Sequence, residues 1–171
     1  MARVPYVELK DSINIRRALA NSPMAAKKNS ELAMYIRHES KLDARLRELA
    51  ILQVGYSGRC AYEYAHHVEI AREFGVSDEE IRGVADDTAG KPTKLDPVTK
   101  LVLKAAREMT DGTAITDATF AGLKQHLSNE HLVDLVLAIA FYNATVRILD
   151  SLKVDVEPEY QHYLQEFPLP R

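Results

Sequence analysis

The residues predict an all-α protein, and three observations carry that reading. Apolar residues recur at helical spacing over most of the chain. Residues suited to helix starts stand just ahead of those segments. No segment sustains the alternation of a strand, and the Val154–Val156 triplet is too short to count as one. Roughly seven to nine helices are expected, given ordinary errors at boundaries.

The first strong segment runs from Ser22 to His38, where a cap residue precedes Pro23 at the first helical position. Asp43–Tyr56 places Leu46, Leu49, Ala50 and Gln53 on one stripe, with Leu42 just ahead. A third helix spans 57–75 and should close at Gly75, where glycine can take the left-handed conformation. Ser77 and Glu80 have capping-box spacing and open the next helix. Asp96 and Pro97 open a helix that stops before Gly112, and segments 116–128 and 129–152 follow. The last is nearly apolar from Leu132 to Tyr142 and is expected to be the central buried helix. Beyond it the proline-marked tail, 153–171, reads as an arm lying on the surface or on a neighbour.

The stretch AGKPTKLDP, residues 89–97, is the best internal linker. It joins two helical halves of a single domain, 1–171, because neither half could bury a core well alone. Residues 1–40 and 153–171 are extensions of that domain. The runs ELAILQVGY (48–56) and DLVLAIAFY (134–142) echo one another: each opens on an acid and ends on a tyrosine. Two core helices of similar composition, or a duplicated hairpin, both account for the echo.

With 22 basic and 25 acidic residues, the net charge of −3 provides no phosphate-binding surface, so nucleic acid is not an expected partner. Cys60 is the only cysteine and cannot form an internal disulfide. The first residues, MARVPYVELKDS, have no apolar core of a leader, and no long unbroken apolar run is present. A soluble, cytoplasmic protein with no membrane partner is the expectation.

The chemistry concentrates in SGRCAYEYAHHVEIAREFGVS, residues 57–77. At about 100° per residue, Cys60, Glu63, Tyr64 and His67 share one helix face, and His66 points elsewhere. Glu63 and His67 are an i, i+4 pair. A carboxylate beside an imidazole favours the protonated ring and fixes its orientation, which makes His67 a candidate general acid or base. A helix N-terminus and an imidazolium would lower the Cys60 thiol pKa, and Glu63 would raise it. A helix facing a core also carries a buried cysteine and a hydrogen-bonded histidine for packing alone. Glu63–His66 and Glu159–His162 have the Glu-x-x-His spacing of di-iron bundles, but no further pair of inward glutamates accompanies them, so no metal is expected. Phosphate-loop and nucleophile-elbow patterns are absent from the sequence.

The stretch from Glu48 to Ile81 resembles the carboxymuconolactone decarboxylase and alkylhydroperoxidase-D-like superfamily. That motif runs from a glutamate to Cys-x-x-Cys, then a histidine and Ala-x-x-x-Gly. Glu48, Cys60, His67, Ala71 and Gly75 fill those places, and Glu63 stands where the second cysteine would be. A dithiol peroxidase cycle is therefore excluded by residue count. A Cys60 sulfenate resolved by an outside thiol is the alternative chemistry. The resemblance implies a cofactor-independent decarboxylase-type enzyme acting on a small carboxylated lactone. In that reading His67 is the acid, Glu63 orients it, Glu48 completes a relay, and Cys60 and Tyr64 line the pocket. Arg45 and Arg59 are the candidate carboxylate anchors. The resemblance also implies a homotrimer or homohexamer, and a non-catalytic oligomeric scaffold is the third possibility.

Overall fold

A computed structural model describes residues 1–170. Among these, nine α-helices and no strand are found, so the fold is all-α. The helices are α1 (Asn14–Leu19), α2 (Pro23–Met34), α3 (Ala44–Ser57), α4 (Ala61–Glu73), α5 (Asp78–Thr88), α6 (Pro97–Asp111), α7 (Asp117–Lys124), α8 (Asn129–Leu152) and α9 (Gln161–Glu166). A π-helical turn, Tyr35–Glu39, extends α2, and a 3-10 turn, Pro158–Tyr160, precedes α9.

The caps explain why most boundaries fall where the sequence puts them. The Asp43 carboxylate accepts the Leu46 N–H at 2.9 Å, and Asp96 accepts that of Thr99 at 2.8 Å. Ser77 and Glu80 form a complete capping box. Gly75 takes φ +84 and closes α4, with Val76 N–H on the Ala71 carbonyl at 2.9 Å and Gly75 N–H on the Arg72 carbonyl at 3.1 Å. Ser22 occupies its cap position beside Pro23, but its side chain makes no cap hydrogen bond.

The helix enclosed on all sides is α3, not α8. Every residue from Leu46 to Gly55 is buried. One face of α3, with Ile51 and Val54, packs on Val102 of α6 and Leu135 and Ile139 of α8. The other, with Leu49 and Leu52, packs on Tyr64 and Val68 of α4 and Ile81 of α5. α8 is long and apolar enough, by length and a mean hydropathy of 1.8, to cross a membrane. It is nevertheless a core helix on one face only: Leu135 and Ile139 are fully buried while Val133 is 66% exposed.

α3 and α4 cross closely at Gly55, where a Cβ would lie 3.2 Å from the Tyr64 backbone. The arm after α8 does not reach outward. Tyr163 and Phe167 are buried in the second core, and the Arg72 guanidinium sits over both rings, at 5.4 and 5.3 Å.

Candidate active site

α4 supplies most of the site. It is buried on nearly every side, from Tyr62 to Val68 and at Ala71. Its neighbours α1, α2, the π-turn and α8 close a cavity of about 600 Å³. Tyr62, Glu63, His66 and His67 all border that cavity, as do Arg37, Phe141 and Tyr142.

His67 is held at both ring nitrogens. Nδ1 lies 2.7 Å from Glu48 Oε2 and Nε2 lies 2.9 Å from Glu63 Oε1. Burial opposes the charged ring, but Glu63 and Glu48 overcome it and raise the His67 pKa to about 9. His67 is therefore an imidazolium at neutral pH, donating to both carboxylates. Glu48 is fully buried, which alone would raise its pKa; His67 and then Arg47 hold it below the usual carboxylate value. Arg47 donates from Nε to Glu48 Oε1 at 3.0 Å and lays its guanidinium over Phe74 at 4.7 Å. The result is a buried chain of alternating charges: Arg47, Glu48, His67, Glu63. Neighbours of opposite sign offset the cost of holding charge away from water. Tyr142 meets the His67 ring edge-on at 4.9 Å. Its phenol pKa is raised well above normal, by burial first and by the Glu63 and Glu48 charges, with Arg37 and Arg47 opposing.

His66 is the cavity residue that a helical wheel misplaces. It stacks between Tyr62 (4.1 Å) and Tyr160 (3.8 Å). Its Nδ1–H donates to the Tyr62 carbonyl at 2.8 Å, and Nε2 lies 3.1 Å from Glu157 Oε2, within ion-pair range but outside hydrogen-bond alignment. Glu157 comes from the arm. Its Oε1 accepts from the Asn14 N–H at 2.6 Å and the Tyr62 hydroxyl at 3.0 Å, tying arm, α1 and α4 together.

Four expected residues lie elsewhere. Cys60 is the cap residue of α4, so its side chain does not follow the helical wheel; it is 1% exposed and does not border the cavity. Burial pushes its thiol pKa up, with Asp150 and Glu63 adding to the rise, so it is not an activated thiolate. Tyr64 points into the second core, packed against Tyr56 at 5.8 Å. Arg45 is taken up by Glu80 and by Asp96, the latter at 3.0 Å. Arg59 is exposed on the α3–α4 turn, at φ +54. None of the three borders the cavity. Neither Glu-x-x-His pair acts as a unit: Glu63 engages His67, Glu159 is exposed, and His162 lies on Tyr163 at 3.9 Å.

Residue types alone gave no reason to select Arg37. The available cue was its place in the N-terminal helical segment just ahead of the motif, a segment that folds over α4.

No curated protein matches the chain in sequence. Residues 23–106 match the carboxymuconolactone decarboxylase family, a span that contains Arg37, Glu48, Glu63 and His67. Among solved structures, the chain is similar to the alkylhydroperoxidase AhpD core of an uncharacterized peroxidase-related protein from Ralstonia eutropha JMP134. That match has 19% identity and a TM-score of 0.77, over 99% of this chain and 98% of that one. An uncharacterized peroxidase-related protein from Silicibacter sp. TM1040 matches at 20% identity and TM-score 0.76, over 86% and 78%. A variant of the debrominase Bmp8, in complex with 2,3,4-tribromopyrrole, matches at 15% identity and TM-score 0.77, over 89% and 81%. The motif of Glu48, Cys60 and His67 and the matched segment 23–106 together support the carboxymuconolactone decarboxylase family for this chain, and its helical fold is that of the alkylhydroperoxidase AhpD core.

Proposed function

We propose that the protein is a cofactor-independent acid/base enzyme acting on a small carboxylated lactone or a related ring compound. The observation that carries the proposal is the Glu48–His67–Glu63 chain, with His67 protonated and both His67 and Glu63 opening on a largely apolar cavity. The match of residues 23–106 to the carboxymuconolactone decarboxylase family supports an activity of this general kind.

In the proposed reaction the bond from ring carbon to carboxylate breaks and CO₂ leaves. The electron pair delocalises into the lactone carbonyl, so the substrate is its own electron sink. A carbon then takes one proton. Glu63 and His67 share a hydrogen-bonded proton at the cavity wall and are placed to deliver it, while Glu48 keeps the remaining imidazole in one tautomer. Solvent restores the proton. The apolar wall keeps water from competing and strengthens each charge interaction.

A thiol route has little support. Cys60 is buried outside the cavity, and its pKa is shifted away from thiolate formation.

The test is a panel of carboxylated lactones and β-keto acids followed by ultraviolet absorbance and CO₂ release. The wild type should turn over one class, and His67→Asn should lose about 10²- to 10⁴-fold in rate while keeping its helical circular dichroism. Wild-type turnover in His67→Asn would remove the assignment.

A further inference from the structure

We infer that Arg37 is the residue that anchors the substrate's carboxylate, and that the π-helical turn carrying it is held in place for that purpose. The inference rests on the acid/base reading above and adds to it the group that selects the substrate.

Besides the His67 imidazolium, Arg16, Lys27 and Arg37 border the cavity, against a single carboxylate, Glu63. That carboxylate is already engaged by His67 at 2.9 Å. Lys27 lies at 4.0 Å from Glu31 on its own helix. Arg16 is exposed at the rim. Arg37 differs from both. Its Nε is shut off from solvent and has no hydrogen-bond partner among the described residues. A buried guanidinium donor without an acceptor is an unfavourable arrangement unless a ligand supplies one. The planar fork of arginine fits a carboxylate at two points.

The backbone around Arg37 is built to hold it. A π-turn is a rare local geometry that is frequently found at functional sites. Here it spans Tyr35–Glu39, and a buried acid on α8 fixes both sides of it. Asp134 accepts from the Tyr35 hydroxyl at 2.9 Å and from the Ser40 hydroxyl at 2.7 Å. Ser40 in turn accepts the Leu42 N–H at 3.2 Å, where the chain turns toward α3. Arg37 lies between the two clamped residues. Its positive charge reaches Tyr142, which packs on His67, so anchor and acid face one substrate volume. A substrate carboxylate on Arg37 would leave its ring among the apolar side chains beside the Glu63–His67 pair.

Calorimetric titration of cyclohexanecarboxylate and of its neutral amide, cyclohexanecarboxamide, tests the anchor without needing the true substrate. The wild type should prefer the carboxylate. Arg37→Gln should weaken carboxylate binding about tenfold to a hundredfold and leave the amide nearly unchanged. His67→Asn should keep the preference, so a failed acid assignment and a failed anchor are read separately. Equal binding of both probes to the wild type, or an undiminished preference in Arg37→Gln, overturns the inference. Phenylglyoxal modification of the wild type, mapped by mass spectrometry, decides the matter if that variant does not fold. Cyclohexanecarboxylate should protect Arg37 and leave Arg45 and Arg59 unprotected; an unprotected Arg37 overturns it.

Discussion

Glu48 and Asp134 open two similar apolar runs, one on α3 and one on α8, and both side chains are buried, at 0% and 6% exposure. Their partners differ in kind. Glu48 meets charged groups, the His67 ring at 2.7 Å and the Arg47 guanidinium at 3.0 Å. Asp134 meets hydroxyls, those of Tyr35 and Ser40. The first arrangement can store and pass a proton, because an imidazolium between two carboxylates has somewhere to send it. The second cannot do so at neutral pH, since hydroxyl donors keep their protons; it fixes backbone. Place in an apolar run decides that an acid is buried, and the partner it finds decides its work.

The sharpest way to break this contrast is to neutralise each acid in turn. Glu48→Gln leaves a buried Arg47 and His67 sharing one fewer negative charge, and should cost about 3–5 kcal/mol in urea unfolding together with turnover. Asp134→Asn should cost about 1.5–3 kcal/mol and act mainly on substrate affinity, by loosening the turn that carries Arg37. Equal losses in the two variants would dissolve the distinction.

Dependence on pH sharpens it further. His67 rises from an ordinary 6.5 to about 9 in the fold, so its contribution is whole below 6.5 and disappears as pH climbs through about 9. Glu48 is held below its ordinary 4.5, so its contribution is present above 4.5 and fades as pH falls through the lowered value. The deficit of Glu48→Gln against wild type should therefore be widest between those limits and narrow above pH 9. A deficit in Glu48→Gln that does not vary with pH would contradict a charged His67. The smallest effect belongs to Cys60→Ala: about 1 kcal/mol of lost packing, with turnover intact. Lost turnover in that variant would return the thiol to the chemistry.

Much of the fold was legible because its instructions are local. Asp43, Ser77, Asp96 and Gly75 act within a few residues, and α2 to α8 follow from them and from apolar spacing. The short helices α1 and α9 were not legible. Neither has a side-chain cap, and Glu157, far along the chain, ties down the start of α1. The π-turn likewise depends on Asp134, 94 residues beyond Ser40. The site divides in the same way. Glu63 and His67 are one helical turn apart and could be paired on sight, and Glu48 came with the motif. His66 and Arg37 are defined by segments that fold back over α4. Tyr64 could not be placed by its wheel position because α4 is surrounded, and Arg45 was lost to Glu80 and Asp96 on other helices.

Gly55 sets a mechanical tolerance for the Glu48–His67 pair. Its missing side chain fixes how near α3 may come to α4, and Glu48 and His67 ride on those two helices on either side of the contact. A proton shared across 2.7 Å is steeply sensitive to separation, so the gap between two backbones works as a gauge for the strength of an acid. The smallest residue in the helix would thus govern the proposed reaction without an atom that takes part in it.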